Sequence, residues 1–344
     1  MSLRICLIGC GGIARDGHGP SLRRCVEQGL EVTLAACCDL DAARAADFAR
    51  RFGFARSYSD LARMLAEEKP DAVWLAVPIE HTCRIGCEVM RRGRSLLTEK
   101  PPGRDVAEAD ELIAAAARGG AINQVAVNRR FSPVLVALKQ WLAEASSPDN
   151  PSAGVQHVSF EMARVQRPDP DFSTTAIHGI DAVRFVLDAD YADLRFRYRE
   201  MPELGEGVAN HLLDGLMSSG VTVQLAFCPM TGDRRERLTV HATDRTFHAE
   251  LALPSPDGDR LGELEERRAG KVVRRAAGPS LAASDELCVL SGMYGQSASF
   301  IADLLAGRQP AVSLASVRQS VAVADAMRER RPAYRAAVAA ADGQ

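Results

Sequence analysis

Residues 3–14 have the sequence LRICLIGCGGIA, in which a mostly apolar run leads directly into a glycine-rich turn. The run Leu3–Ile8 is short and rich in leucine and isoleucine, as a strand buried on both faces should be. The turn fits the spacing G-x-G-x-x-G/A. Gly9 permits a tight turn, Gly11 lets the backbone approach a pyrophosphate, and Ala14 allows the next helix to pack closely on the strand. The stretch therefore predicts a strand, a turn and a helix whose N-terminus can bind a dinucleotide.

Strand-like and helix-like segments alternate from this turn to about residue 130. The helix-like segments include Ser59–Glu68 and Asp105–Arg118, each opened by a residue that can cap a helix. Alternation at this spacing predicts right-handed βαβ units and a doubly wound parallel sheet. Four further apolar runs supply its strands: Val32–Cys38, Ala72–Val77, Ser95–Thr98 and Ala121–Val127.

After residue 131 the pattern changes to strands with one exposed face. Leu194, Phe196 and Tyr198 alternate with arginines, which is typical of a half-buried strand. A helix is predicted at Thr174–Leu187, and an exposed hairpin or loop at Asp257–Gly278. Further alternating segments are His157–Val165, Gly207–Met217, Val221–Phe227, Arg237–His241 and Thr246–Leu253. Together they predict a large, open, mostly antiparallel sheet in an α+β domain.

The fold class is therefore predicted as α/β, with two domains and a C-terminal segment. A Rossmann domain is expected at residues 1–127, and a second, α+β domain at residues 128–310. Residues 311–344 are expected to contain a helix over Ser313–Ala340 that packs back between the domains. A turn cluster is predicted at Ser146–Pro151. The length of 344 residues suits this division, since single cores stop growing at about 250–300 residues.

The composition excludes several classes of function. Hydrophobic residues make up 47% and charged residues 25% of the chain, and the formal net charge is −3. This balance predicts no nucleic-acid partner and no polybasic membrane patch. No apolar run reaches the roughly 18–20 residues of a membrane span. The nine cysteines are scattered without zinc spacing, which predicts reduced thiols, no metal site and a cytoplasmic location.

The second predicted strand leads into Asp39. A carboxylate at this position would accept hydrogen bonds from the adenosine ribose hydroxyls and would repel a 2′-phosphate. NAD(H) is therefore expected in preference to NADP(H), although Arg44 could accommodate such a phosphate. Asp39 could instead cap the helix predicted at Ala42–Phe52, and the two roles are compatible.

The helix that follows the glycine turn carries further contacts and one irregularity. Gly12 and Ile13, at its start, are expected to contact the dinucleotide. His18-Gly19-Pro20 is expected to interrupt the helix after little more than one turn, because proline lacks an amide hydrogen and clashes with the preceding turn.

Two further motifs follow neighbouring strands of the predicted parallel sheet. Pro78 and His81 follow one run, and Glu99-Lys100-Pro101 follows the next. With the glycine turn and the segment Asn128–Phe131, these motifs resemble those of the Gfo/Idh/MocA family of NAD(P)-dependent oxidoreductases. The family is named for glucose–fructose oxidoreductase, inositol dehydrogenase and the rhizopine protein. The resemblance implies a Rossmann domain followed by an open mixed sheet, an active site in the crevice between them, and homodimers or homotetramers joined through the second-domain sheets.

The resemblance also implies roles for residues near the ends of these strands. Lys100 would hydrogen-bond the reacting oxygen of the substrate and contact the cofactor, and Glu99 would lie near the nicotinamide ribose. Pro78 would lie beside the nicotinamide or the adjoining ribose, His81 would belong to the same cofactor site, and Arg129 would face the substrate. The position of Lys100 agrees with general principle, since ligands of doubly wound sheets bind beyond the carboxyl ends of the strands.

The second domain contributes a candidate proton-transfer group near the start of the predicted helix Thr174–Leu187. His178 and Asp181 are three residues apart and share a neighbouring face. They match the last two polar positions of the family pattern Asp-x-Gly-x-His-x-x-Asp. Thr174 replaces the first aspartate, and a hydroxyl can position a substrate but cannot tune the histidine as a carboxylate would. Thr174, Asp181 and Arg164 are the expected substrate contacts in this domain.

The expected reaction is hydride transfer between nicotinamide and the hydroxyl or carbonyl carbon of a sugar, cyclitol or related polyhydroxy compound. His178 would exchange the hydroxyl proton, while Lys100 stabilises developing negative charge. Alternatively, Lys100 carries the proton and His178 orients the substrate. Two other functions stay open: an NAD-recycling hydrolase, lyase or epimerase, and a nucleotide-sensing regulator without catalysis.

Overall fold

The computed structural model describes residues 2–145, 154–255 and 258–336. The turn cluster predicted at Ser146–Pro151 lies outside these residues. The chain forms two compact units, of which the first comprises Met1–Pro133 with Ala282–Ala322 and the second Val134–Leu281 with Val323–Gln344. In the described ranges, no helix is long and apolar enough to cross a membrane.

A parallel sheet forms the centre of the first unit. Its strands are β1 Leu3–Ile8, β2 Val32–Cys38, β3 Arg56–Tyr58, β4 Ala72–Leu75, β5 Ser95–Thr98 and β6 Asn123–Val125. They are arranged in the order β3-β2-β1-β4-β5-β6. This order confirms the predicted doubly wound sheet. The order in which the chain adds strands reverses between β1 and β4, and such sheets bind ligands at this switch point. Ile5 and Leu7 are fully buried, as residues of a strand covered on both faces should be.

Both units contain helices. In chain order they are α1 Gly19–Glu27, α2 Ala42–Phe52, α3 Leu61–Glu68, α4 Ile79–Arg91, α5 Val106–Gly119, α6 Pro133–Ala145, α7 Ser173–Leu187, α8 Gly278–Ala282, α9 Leu287–Leu290, α10 Met293–Leu305 and α11 Leu314–Arg328. Short 3-10 helices occur at Asn128–Phe131 and Pro202–Leu204, and a π-helical turn occurs at Ala14–His18.

The π-helical turn replaces the interruption predicted at Pro20. The chain is helical from residue 12 to residue 27, and the amide of Gly19 donates to the carbonyl of Ala14, five residues earlier. Pro20 has no amide hydrogen, so it could not form the ordinary bond to the carbonyl four residues back. The wider turn lets the helix continue past the proline, and the predicted interruption was wrong.

The start of α2 separates the two roles considered for Asp39. The N-cap of this helix is Asp41, whose carboxylate accepts hydrogen bonds from the amides of Ala43 and Arg44 at 3.0 and 3.1 Å. Asp39 lies before the cap, so its carboxylate is not used to begin the helix. The cap is supplied by the residue type that sequence statistics favour, but two positions later than proposed.

A second, mixed sheet forms the framework of the second unit. Its strands are β7 Val155–Val165, β8 Tyr191–Glu200, β9 Ala209–Met217, β10 Thr222–Thr231, β11 Arg235–Ala242, β12 Thr246–Glu250, β13 Glu263–Arg268, β14 Lys271–Ala277 and β15 Ala333–Arg335. They are arranged in the order β14-β13-β12-β11-β7-β10-β9-β8-β15. Only β7 and β10 pair in parallel among these neighbours. The predicted large, mostly antiparallel sheet is confirmed.

The end of the second unit differs from the predicted long helix over Ser313–Ala340. Helix α11 ends at Arg328, and Arg330 adopts a positive φ of 55°. Pro332 follows two residues later and disfavours helical geometry at its neighbour. The chain then adds β15 to the edge of the sheet by pairing with β8. The prediction was therefore wrong between residue 329 and residue 336.

Helix α7 packs against one face of the second sheet. A Cβ atom at Gly179 would lie 2.2 Å from the ring of Phe160 on β7, so only glycine permits this close approach. The ring of Phe160 also contacts that of Phe227 on the neighbouring β10, with centroids 6.2 Å apart and the ring planes tilted by 47°. This contact fixes α7, which carries His178, to the sheet.

The observed units differ from the predicted division at residues 128–310. Residues 282–322 belong to the first unit, because α10 packs beside the parallel sheet. Gln124 on β6 donates to the carbonyl of Gln296 at 2.9 Å, and Trp74 on β4 meets Phe300 with ring centroids 5.3 Å apart. These contacts join segments far apart in sequence, and helix periodicity does not reveal which sheet such a helix will cover.

Candidate active site

The glycine turn between β1 and the following helix is restricted by neighbouring backbone. Gly9 has φ of +90°, and a Cβ atom there would lie 2.3 Å from the carbonyl oxygen of Ala76. Cβ atoms built at Gly11 and Gly12 meet nothing within 4 Å, so space is open in front of the helix N-terminus. Gly9 is therefore required by the fold, whereas small residues at the other two positions leave room for a ligand.

Asp39 is held in place by main-chain amides. Its Oδ2 accepts a hydrogen bond from the amide of Cys10, inside the glycine turn, at 2.8 Å, and its Oδ1 accepts from the amide of Asp41 at 2.9 Å. Arg44 Nη1 donates to Oδ1 of Asp39 at 3.2 Å, and Arg44 Nη2 lies 3.3 Å from Oδ2 of Asp41. The carboxylate thus connects the ends of β1 and β2 and has a defined orientation beside the turn.

A cavity of about 600 Å³ opens beside Asp39. Carboxylates outnumber guanidinium groups along its walls four to two. The carboxylates are Asp39, Asp41, Asp60 and Glu88, and the guanidinium groups are Arg44 and Arg84. Apolar surface is contributed by Leu40, which is 91% exposed, and by Leu61 and Ile85. The cavity therefore suits an uncharged, flat group with hydroxyls, and its charge disfavours an added phosphate.

Pro78 and His81 line the same cavity from the end of β4. Pro78 is the N-cap residue of α4, and its carbonyl accepts a hydrogen bond from the amide of His81 at 3.0 Å. Two sequence motifs that lie far apart, at residues 9–39 and 78–81, are thus brought to one edge of the sheet.

Glu99 and Lys100 follow β5 at that edge. Glu99 Oε1 lies 2.8 Å from Nε2 of His18, and Oε2 accepts a hydrogen bond from the amide of Lys100 at 3.2 Å. Burial by itself raises the pKa of the Glu99 carboxyl, but the hydrogen bond from His18 and the charges of His18 and Lys100 hold that pKa below its usual value. Glu99 is therefore an ionised, oriented carboxylate.

His18 was not among the residues that the sequence singled out for the site. It was treated only as part of a helix-breaking tripeptide. The signal that could have found it is a histidine beside two glycines in the helix that follows a dinucleotide turn. The tertiary pairing with Glu99, 81 residues away, cannot be recognised from local pattern.

The second unit holds His178, Asp181 and Thr174 on α7. His178 is 8% exposed, and Asp181 is completely buried with Arg184 Nη1 at 3.8 Å. Thr174 Oγ1 donates to the carbonyl of Asp171 at 3.2 Å in the first turn of the helix. Helix α7 therefore carries all three residues, and their contacts with a substrate stay a prediction.

Arg164 has partners that conflict with its predicted role as a substrate contact. Its side chain is 4% exposed and pairs with the carboxylate of Glu236, which is fully buried. It also donates to the carbonyl of Ala163 at 2.9 Å. A buried guanidinium engaged in this way ties β7 to β11, and we do not assign it to substrate binding. Arg129 lies in the first unit, where it donates to Asn128 Oδ1 at 3.0 Å.

Three potential metal-ligand atoms lie within 4.8 Å of one another between α4 and α5. They belong to Cys83, Cys87 and Glu111. Burial raises the pKa of the Cys83 thiol to about 12, with further contributions from Cys87 and Glu111. Arg91 already pairs with Glu111 at 3.2 Å. The sequence did not anticipate this cluster, and protonated thiols beside an occupied carboxylate are weak ligands.

The geometry of the first unit agrees with a comparison against known protein families. The family model GFO_IDH_MocA, described as an oxidoreductase family with an NAD-binding Rossmann fold, matches residues 3–127. Named relatives in the same comparisons include inositol dehydrogenases. Over residues 3–127 the chain therefore resembles the Gfo/Idh/MocA family.

Curated relatives match over different lengths. An uncharacterized oxidoreductase of Rhizobium meliloti is 37% identical over 38% of this chain and 38% of its own. The scyllo-inositol 2-dehydrogenase (NADP(+)) of Bacillus subtilis is 33% identical over 32% of this chain and 33% of its own. The 1,5-anhydro-D-fructose reductase of Ensifer adhaerens is 25% identical over 69% of this chain and 73% of its own. The chain thus matches only about a third of the length of the first two Gfo/Idh/MocA relatives.

Solved structures extend the similarity of fold to nearly the whole chain. An oxidoreductase from Agrobacterium radiobacter, in complex with NAD+, L-tartaric acid and magnesium, has a TM-score of 0.75 at 19% identity and covers 95% of each chain. Levoglucosan dehydrogenase in complex with NADH and levoglucosan has a TM-score of 0.77 at 17% identity, covering 96% of this chain and 97% of the other. These two proteins therefore share the fold of nearly the whole chain.

Proposed function

We propose that the chain is an NAD(H)-dependent oxidoreductase. It transfers a hydride between nicotinamide and the hydroxyl or carbonyl carbon of a sugar, cyclitol or related polyhydroxy compound. One observation carries the proposal: the glycine turn after β1, Asp39 after β2 and Lys100 after β5 lie at the carboxyl edge of one parallel sheet. Ligands of doubly wound sheets bind at this edge.

The preference for NAD(H) rests on the cavity beside Asp39. The carboxylate is oriented by two main-chain amides and can accept hydrogen bonds from ribose hydroxyls. A 2′-phosphate would face this carboxylate and the others around the cavity. Arg44, the residue that could attract such a phosphate, is already paired with Asp39 and Asp41. The alternative is a preference for NADP(H), because one relative is named as an NADP(+)-dependent dehydrogenase.

The chemical steps are assigned to Lys100 and His178. When bound, nicotinamide supplies the hydride acceptor or donor. The Lys100 ammonium would hydrogen-bond the reacting oxygen and stabilise negative charge on it, and the His178 imidazole would exchange the hydroxyl proton. Glu99, Pro78, His81, Gly11, Gly12 and Ile13 would hold the dinucleotide, and Thr174 and Arg129 would contact the substrate.

The substrate class follows from what the relatives are named for. They include a scyllo-inositol dehydrogenase, an anhydrofructose reductase and, among solved structures, levoglucosan dehydrogenase. These names share cyclic polyhydroxy compounds, which supports the same class here. A homodimer or homotetramer joined through the second-unit sheet, and a cytoplasmic location, belong to the same proposal. Leu212 and Leu216 are 37% and 45% exposed on β9 and offer apolar contact area for such an assembly.

A cofactor and substrate screen tests the proposal. The purified protein is incubated with NAD⁺ or NADP⁺ and a panel of inositols, aldoses and anhydro sugars, while NADH formation is followed by absorbance. We expect at least one compound of the panel to reduce NAD⁺. The same compound should reduce NADP⁺ more slowly. NADH binding without turnover of any polyhydroxy compound, in either direction, would contradict the proposed reaction. Product formation without net NADH would instead identify the NAD-recycling alternative.

A further inference from the structure

His18 joins the helix of the glycine turn to the end of β5. Its side chain is 1% exposed, and Nε2 lies 2.8 Å from Oε1 of Glu99, whose side chain is 12% exposed. Glu99 is ionised, so the imidazole nitrogen is the donor of this bond. The contact links two segments that the sheet topology already brings to one edge, and both belong to the first unit.

The Glu99 carboxylate bridges His18 and the main chain of Lys100. One oxygen is bonded to the imidazole and the other to the Lys100 amide. Because a carboxylate has about four acceptor positions, two such bonds orient it and leave acceptor capacity for hydroxyl groups of a ligand. The orientation of Glu99, and with it the backbone at Lys100, therefore depends on His18.

The backbone on either side of His18 is closely packed. A Cβ atom on Gly17 would lie 2.5 Å from Cε of Met293, and one on Gly19 would lie 2.7 Å from the ring of Phe52. The π-helical turn is thus packed closely on two sides by α2 and α10. Such turns are frequent at functional sites, because they redirect a single side chain within an otherwise regular helix.

The other nitrogen of His18 is an exception to ordinary packing. Nδ1 is buried and has no hydrogen-bond partner among the described residues. Leaving a buried polar atom unpaired destabilises a fold. A purely structural role for this position would be filled at lower cost by an apolar side chain. Retention of an imidazole here points to the one bond that it does form, to Glu99.

We propose that His18 is a positioning residue for the dinucleotide site, which holds the Glu99 carboxylate in the orientation that accepts ribose hydroxyls and thereby fixes the backbone at Lys100. The inference rests on the proposed function, because the roles of Glu99 and Lys100 come from it. His18 itself touches neither dinucleotide nor substrate in this assignment. Its effect is transmitted through Glu99.

The test compares two substitutions of His18 with a control in the same turn. His18→Leu removes the donor at similar volume, and His18→Gln retains an amide donor that can reach Glu99. Ser21→Ala removes a different buried bond of the same turn, from Ser21 Oγ to the carbonyl of Gly17 at 2.7 Å. The readout is the dissociation constant of NADH, measured by fluorescence titration, which needs no knowledge of the substrate.

We expect His18→Leu to weaken NADH binding about tenfold, as loss of one hydrogen bond to a charged group does. His18→Gln and Ser21→Ala should stay within about threefold of the unaltered protein. Unaltered affinity in His18→Leu, or equal weakening in Ser21→Ala, would overturn the inference. If His18→Leu does not fold, His18→Asn takes its place, because its shorter amide cannot reach Glu99 whereas that of Gln can.

A double-mutant cycle then tests whether His18 acts through Glu99. The effects of His18→Leu and Glu99→Gln on NADH affinity should not add, so the double variant should bind NADH like Glu99→Gln alone. Additive effects would refute transmission through Glu99. Failure of this inference is distinguishable from failure of the proposed reaction. If NADH binds but no polyhydroxy compound is turned over, the reaction fails while the cycle still decides the role of His18; if NADH does not bind at all, both fail.

Discussion

The carboxyl edge of the first unit and helix α7 of the second present candidate residues in contrasting ways. At the edge, main-chain groups orient the side chains: amides hold Asp39 and Glu99, and glycine clears space at the turn. On α7, packing against the sheet dominates, and Asp181 is buried beside Arg184. A site defined by backbone is encoded in short motifs, whereas one defined by side-chain packing depends on contacts that no short motif contains.

The largest expected effect tests the chemistry assigned to the edge. Lys100→Ala removes the ammonium that would stabilise developing negative charge, so turnover should fall by about 10²–10⁴-fold. NADH binding should weaken but stay measurable, because Lys100 is one cofactor contact while the glycine turn and Asp39 are untouched. Steady-state kinetics and NADH titration measure the two effects. Lys139→Ala, which removes a lysine paired with Asp188 in the second unit, is the matched control. Wild-type turnover in Lys100→Ala would remove the lysine from the mechanism.

A second variant asks whether α7 contributes chemistry or only packing. His178→Gln should lower turnover by about 10²-fold, because the amide cannot exchange a proton at neutral pH. His248→Gln, on β12 of the same unit, is the control and should leave turnover within about threefold. Steady-state kinetics with the substrate found in the screen measure both variants. Equal effects of the two substitutions would indicate that α7 supplies structure alone.

The pH dependence of stability tests the burial of one histidine in the second unit, His211. Burial lowers the pKa of His211 to about 3, with a further contribution from the positive charge of Arg330. The folded-state pKa lies below that of an unfolded histidine, about 6.5, so stability is fully present above that pH and is lost as pH falls towards 3. Between pH 6.5 and 5 this group should lower the free energy of unfolding by about 2 kcal/mol.

His211→Phe checks that expectation. The phenyl ring can keep the stacking with Phe172, whose ring centroid lies 6.3 Å away, and the edge contact with Tyr198. Urea unfolding at several pH values should show a weaker loss of stability on acidification in the variant than in the unaltered protein. An identical slope in both proteins would assign the pH dependence to other groups.

The smallest expected effect concerns selectivity at the edge. Asp39→Ser removes the carboxylate beside the glycine turn and should reduce the preference for NADH over NADPH about tenfold. Asp60→Asn keeps the cap of α3 while removing a charge from the same cavity. Dissociation constants for both dinucleotides measure the change. If both variants shift the preference equally, the charge of the whole cavity determines selectivity and the position of Asp39 does not.

The contrast also explains which predictions could be made from sequence. The doubly wound sheet, the turn and the edge positions of Asp39 and Lys100 follow from alternation of apolar runs and from glycine spacing. The assignment of α10 to the first unit does not, since it depends on contacts such as that between Gln124 and Gln296. Arg164 is expected to contact the substrate because it lies on the first strand of the second sheet. Its buried partner, Glu236, lies 72 residues away and could not be paired with it by pattern.

Proline was the least reliable guide in this chain. Pro20 was expected to break a helix, yet the helix continues because the surrounding turn widens. Pro332 lies within the long helix that was expected, yet the helix ends before it and the chain joins the sheet. In each case the outcome depends on whether neighbouring backbone groups find other partners, which is a property of the tertiary structure.

The π-helical turn has a consequence for comparing this chain with its relatives. A turn closed by a bond to the fifth preceding residue contains one residue more than an ordinary helical turn. In a chain without that extra residue, a side chain in the place of His18 would come three positions after the residue aligned with Ala14, instead of four. A residue-by-residue alignment without a gap would then set His18 against the wrong neighbour. An insertion of one residue can thus conceal a spatial equivalence, even between helices whose glycine turns match.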